Sequence, residues 1–132
     1  MYHVLIALDE NESRAVAQAT AVADLPESAT AVRATLLYSF TDNPSGASAL
    51  QVAGVRRAQE TLEDAGIDTD LVETSGNPAD IILDVAEERD VNCICVGGRR
   101  RSPAGKALFG SVAQSVILNA ERPVLVAGEG QQ

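Results

Sequence analysis

The 132-residue chain has no tryptophan, one histidine, one lysine, two cysteines and four aromatic residues, and each scarcity removes a class of function. The lone His3 opens a short apolar strand-like run, at the end opposite any crevice beyond that strand, so no serine–histidine–carboxylate triad can be assembled. Cys93 and Cys95 stand two apart in a strand-like run and point to one face, so they are read as buried core thiols rather than a bridge. With a single histidine they supply too few ligands for a metal site. Basic residues are also few: 10 Lys plus Arg stand against 19 Asp plus Glu, a formal charge of −9. An acidic surface disfavours nucleic acid and anionic membranes, which both need a basic footprint. No run approaches 18 consecutive apolar residues, and the first twenty residues carry acids where a signal peptide would be basic and then apolar. A soluble, cytoplasmic protein is therefore expected.

What is present is small and aliphatic. Alanine occurs 21 times and the hydrophobic share is 45%, which implies tight packing of helices on a sheet in a single domain. That domain is expected over residues 1–128, with 129–132 as a flexible C-terminal tail. Nine of the ten cations are arginine, and the acidic excess reads as a halophilic-type surface suited to high salt.

Strand and helix patterns alternate along the chain. His3 to Leu8 is an apolar run without alternation, as in a buried parallel strand. Ala15, Val16, Ala19, Val22 and Ala23 then share a helical face that ends before Pro26. The pattern repeats with a strand at Val32 to Ser39, a loop at Phe40 to Ser48, and a helix carrying Val55, Ala58, Leu62 and Ala65 up to Gly66. Ile67 to Val72 is a half-exposed edge strand. Asn77-Pro78 opens a helix with Ile81, Ile82, Val85 and Ala86 inward. Val91 to Val96 is a fourth strand, Gly97 to Phe109 a loop, Ser111 to Ala120 a helix and Val124 to Ala127 a fifth strand. Five strands joined by helices imply an α/β fold: one doubly wound, five-stranded parallel sheet with helices on both faces. Ligands in such sheets sit beyond the carboxyl ends of the strands where strand order reverses, so Asp9 and Gly97 are expected to face one crevice.

Residues 91–120 contain no acid but hold Arg99, Arg100, Arg101 and Lys106. This basic island lies between Gly97-Gly98 and Gly110-Ser111, and the second pair opens a helix. Free amides at a helix N-terminus, with glycines that let the backbone approach, make a phosphate cradle. A solvated loop paired to acids elsewhere, with Ser111 acting only as a cap, is the plainer reading. There is no G-x-G-x-x-G after the first strand, and Gly105-Lys106 lacks the hydroxyl residue and leading glycine of a P-loop. A phospho-receiver reading fails because Glu73-Thr74 and Gly128-Glu129 stand where the acceptor Asp and the Lys would be.

From about His3 to Ala127 the chain resembles the universal stress protein family. The residues that carry the resemblance are Ala7-Leu8-Asp9, Leu36-Leu37-Tyr38-Ser39, the Gly97 to Val112 segment and Arg122-Pro123-Val124-Leu125-Val126. The family's nucleotide-binding pattern is Gly, two residues, Gly, nine residues, then Gly-Ser or Gly-Thr. Here the spacing is kept and Arg100 replaces the middle glycine. The resemblance implies a Rossmann-like, adenine nucleotide alpha hydrolase-like sheet of strand order 3-2-1-4-5. It also implies a site for ATP or another adenine nucleotide, with or without Mg2+, that binds rather than turns over its ligand. Asp9 would then meet the ribose, and Ala7 and Ser39 would flank the base. Gly97, Gly110, Ser111 and Val112 would hold phosphates, and Arg99, Arg100 and Arg101 would close over them. The family further implies a homodimer through the last strand, Val124, Leu125 and Val126, acting in stress response or signalling. Arg100 adds bulk and a planar cation where glycine would lie against phosphate. It leaves open a ligand-free dimeric scaffold and, third, a slow metal-assisted ATPase.

Overall fold

The computed structural model describes residues 1–40, 48–98 and 110–128. Five parallel strands form its centre: β1 (Tyr2–Leu8), β2 (Val32–Phe40), β3 (Asp68–Ser75), β4 (Cys93–Gly98) and β5 (Val124–Gly128). Their order is β3-β2-β1-β4-β5. The helices are α1 (Glu12–Ala23), a single turn α2 (Ser28–Ala31), α3 (Ala53–Asp64), α4 (Pro78–Glu88) and α5 (Ser111–Asn119), with a short 3-10 turn at Ala49–Gln51. This is the expected doubly wound sheet in the expected order.

Strand periodicity divides the core in two. On one face, Val4, Ile6 and Leu8 of β1 pack with Ala15, Ala19 and Val22 of α1 and with Val55, Ala58 and Leu62 of α3. On the other, Leu5, Leu37, Ile94 and Val96 meet Ile82, Val85 and Ala86 of α4 and Ala113 and Val116 of α5. The alanines on α1 and α3 let these two helices lie close together over the sheet. Cys93 and Cys95 are buried and unpaired, as expected.

Several boundaries differ from the sequence pattern, and the reasons are local. Ile67 and Val91 do not begin strands. The Ile67 amide donates to Leu62 O and the Gly66 amide to Glu63 O, and Val91 and Asp90 donate likewise to Ala86 O and Glu87 O. Both helices thus end in a Schellman motif, in which the buried apolar residue beyond the left-handed position anchors the helix end. Gly66 has φ 80° and Asp90 φ 50°. Gly97 and Gly98 belong to β4 rather than to the following loop, because their ladder continues to Ala127 and Gly128 of β5. Strand β1 begins at Tyr2 and β2 continues to Phe40, since parallel pairing runs from Tyr2↔Val32 to Leu8↔Tyr38 and on to Phe40↔Ser75.

Candidate functional site

The carboxyl ends of β1, β2 and β4 and the start of α5 enclose a crevice of about 390 Å3, within the range of small-molecule sites. Every expected nucleotide-site residue that the structure describes lines it: Ala7, Asp9, Ser39, Gly97, Gly110, Ser111 and Val112. Arg99, Arg100 and Arg101, together with Lys106, lie outside the described residues.

Asp9 directly follows β1, and the chain turns there into α1. Its Oδ1 accepts the Asn11 amide at 2.9 Å. Asn11 is the cap of α1, and its side chain accepts the Arg14 amide at 2.9 Å. Arg14 therefore sits one turn into α1 and reaches back, its Nη2 2.9 Å from Asp9 Oδ2. Beneath it Gln18, 1% exposed, donates its amide to Ala7 O at 2.7 Å and to Cys95 O at 3.2 Å. That side chain ties the ends of β1 and β4 together below the crevice.

The opposite wall is the N-terminus of α5. Gly110 is its cap residue, so the cap position supplies no side chain to the helix start. Ser111 is thus the first helical residue, not the cap. The first amides of α5 have no partner within the helix and carry partial positive charge toward the crevice they line. Among the described residues nothing lies within 4 Å of the position a Cβ on Gly110 would take. Gly97 is different: its missing Cβ would stand 2.9 Å from Arg14 Cδ and 3.0 Å from Gln18 Oε1. Glycine at 97 thus makes room for those two side chains. Ser39 Oγ donates to Gly76 O at 3.4 Å across the rim.

Arg14, Gln18, Tyr38, Phe40, Ile82 and Val96 also line the crevice and were not anticipated. A signal existed for the first two, a polar pair at helical spacing on the flank of the apolar α1 stripe. Tyr38 and Phe40 pack edge to face with ring centroids 4.8 Å apart, placing two of the four aromatics at the end of β2. Burial, reinforced by the Glu10 and Asp9 carboxylates, raises the Tyr38 hydroxyl pKa above its usual value.

Away from the crevice, His3 sits near the amino end of β1, as expected. Its Nε2 lies 2.6 Å from Thr35 Oγ1. The Thr35 hydroxyl donates to Asp70 Oδ1 at 2.8 Å, so it accepts from the histidine. The Cys95 thiol is pushed up to about 12, first by burial and then by Cys93, which makes it inert as a nucleophile. Among the described residues no group of three or more His, Cys, Asp or Glu side chains could hold a metal ion, and no described helix is long and apolar enough to cross a membrane.

A universal stress protein of Mycolicibacterium smegmatis is 33% identical over 72 residues, 54% of this chain and 55% of that relative. The chain thus spans about half the length of that relative. Two solved structures are covered almost end to end. A universal stress protein from Archaeoglobus fulgidus superposes with a TM-score of 0.76 at 26% identity, covering 96% of this chain and 98% of that one. A universal stress protein from the same organism, solved in complex with dAMP, superposes with a TM-score of 0.70 at 22% identity over 96% and 98% of the two chains. The model of the universal stress protein family matches residues 1–128, and the chain belongs to that family.

Proposed function

We propose that the protein binds an adenine nucleotide in the crevice and acts in stress response or signalling as a cytoplasmic homodimer. The observation that carries this is the convergence on one cavity of Asp9, Ser39 and the glycine-capped start of α5. An orphan-amide helix terminus favours phosphate, and a carboxylate at the end of β1 favours ribose hydroxyls. The dAMP held by a protein of the same fold supports the same ligand class.

In this reading Asp9 accepts from the sugar, Ala7 and Ser39 flank the base, and Gly97, Gly110, Ser111 and Val112 take the phosphates, with Arg99, Arg100 and Arg101 adding charge. Residues 1–128 act as the domain. The function is binding rather than turnover, since none of the residues around the crevice offers a histidine base. A second reading, a ligand-free dimeric module, draws on Arg14, which already occupies Asp9.

The dimer would form along β5, an edge strand whose Val126 is 37% exposed, aided by Leu118 of α5, 75% exposed. An uncovered apolar edge otherwise invites uncontrolled pairing.

With no tryptophan and only Tyr2 and Tyr38, the protein absorbs weakly near 280 nm. Protein incubated with ATP and then desalted should therefore show a spectrum dominated by the nucleotide near 260 nm. A spectrum that stays that of the tyrosines would favour the ligand-free reading. Phosphate release from ATP and magnesium, lost in Asp9→Ala, would require turnover to be added.

A further inference from the structure

The two oxygens of Asp9 are already largely engaged. Arg14 presents Nη2 at 2.9 Å and Nε at 3.2 Å to Oδ2, and Asn11 donates its amide to Oδ1 at 2.9 Å. A carboxylate offers about four acceptor positions, two on each oxygen. Among the described residues Arg14 faces both on Oδ2 and Asn11 one on Oδ1, which leaves one for a ligand. Reading the two hydroxyls of a ribose requires two. The arginine is also held in place along its length: its backbone amide is bonded to the Asn11 cap, and its stem lies against Gly97, where only the missing Cβ gives it room. Its side chain is 22% exposed while that of Asp9 is 53% exposed, so the cation closes the inner side of the carboxylate and a ligand meets the outer side.

We propose that Arg14 sets the sugar specificity of the crevice. By filling Oδ2 it leaves Asp9 one hydroxyl to read, so the site takes 2′-deoxyribose and ribose forms of an adenine nucleotide almost equally. The inference rests on the nucleotide reading above and adds to it the class of sugar accepted. It also assigns Arg14 a role that a cation merely solvating the protein surface would not have.

The test is calorimetric titration of AMP and of 2′-deoxy-AMP into the wild-type protein and into Arg14→Gln. Glutamine keeps a good helix former in α1 and removes the cation. Wild type should bind the two nucleotides within about twofold of each other at low salt. Arg14→Gln should separate them by about tenfold in favour of AMP, the lower end of what a hydrogen bond to a charged group contributes. Raising salt from about 0.1 M to 1 M shortens the screening length from about 10 Å to 3 Å and loosens the exposed pair. The AMP preference of wild type should therefore rise with salt, while that of Arg14→Gln stays level. The salt series on wild type decides the matter even where the variant folds poorly. A wild type that already prefers AMP tenfold at low salt, or a variant with an unchanged ratio, overturns the role of Arg14 and leaves the site intact. Failure of both nucleotides to bind either protein overturns the site itself.

Discussion

Thr35 is fully buried, and its hydroxyl is the middle of a chain that crosses three strands from His3 to Asp70 and ends on Arg89 Nη1, 2.5 Å from Asp70 Oδ2. Thr35→Val keeps the shape but strands an N–H on one side and an oxygen on the other, so thermal or denaturant unfolding should show a loss of roughly 1–3 kcal/mol. The same chain predicts a pH dependence. Burial alone would raise the Asp70 carboxyl, but the Thr35 hydroxyl and the Arg89 guanidinium outweigh it and hold it below the usual range. Its stabilising contribution is thus present above the ordinary carboxylate value of about 3.9 and is lost as pH falls through the lowered folded value. His3 is lowered by burial and by Arg33 and Arg89, against the upward pull of Asp70. The folded state then resists protonating it, and stability falls as pH drops below about 6.5. Melting curves of wild type and His3→Gln should converge or cross as pH is lowered from 7 to 5, wild type losing more. A difference independent of pH would contradict this. None of the chain from His3 to Arg89 was legible in sequence, because residues 3, 35 and 70 meet through the pairing of β1 with β2 and of β2 with β3, and Arg89 joins them from the end of α4. Asp9 was legible because it follows a buried strand directly, whereas Arg14 reaches it only through the turn by which α1 folds back over the end of β1.

Helix ends decide how well the elements could be read from the sequence. Asn77-Pro78 is recognisable as a start because the cap and the residue without an amide are adjacent, and Asn77 Oδ1 accepts the Asp80 amide at 3.2 Å. The helix ends at Gly66 and Asp90 were harder, since the apolar residue after each reads as the first residue of a strand. These two sites give opposite predictions. Gly66→Ala places a Cβ at φ 80° and 3.3 Å from Ala29 Cβ, and should cost roughly 1–2 kcal/mol. Asp90→Gly relieves a left-handed residue and should gain about 0.5 kcal/mol after the greater freedom of glycine in the unfolded chain is counted. Asp90 also faces Arg122 Nη2 at 3.5 Å, but its side chain is 95% exposed, so little is lost with that pair. Chemical denaturation of the two variants reads both effects, and a stabilising Gly66→Ala would refute the account of the α3 end.

At the scale of the whole molecule, the parallel sheet covered on both faces followed from uninterrupted apolar runs alternating with helical stripes, whereas the strand order came only from the resemblance to the family. The described parts of the acid-free window at 91–120 that line the crevice are Val96-Gly97 and Gly110 to Ala113. What the pattern could not convey is that both faces of β1 contribute to the cavity: Ala7 from one side, and Leu8 with the α1 residues Arg14 and Gln18 from the other. Assembly is tested at this scale too. Val126→Lys places a charge on the β5 edge, and light scattering should find a monomer where wild type is a dimer. A wild-type monomer would remove the dimer from the account. The central claim is that the crevice binds an adenine nucleotide with its phosphates on the start of α5. It is tested most directly by calorimetric titration of ATP into the nucleotide-free protein and into Gly110→Leu, which adds a bulky side chain to a residue lining the crevice. The account predicts saturable binding to wild type, abolished in Gly110→Leu with the dimer intact. Equal affinity in the two proteins, or no heat from wild type at millimolar ATP, would contradict it.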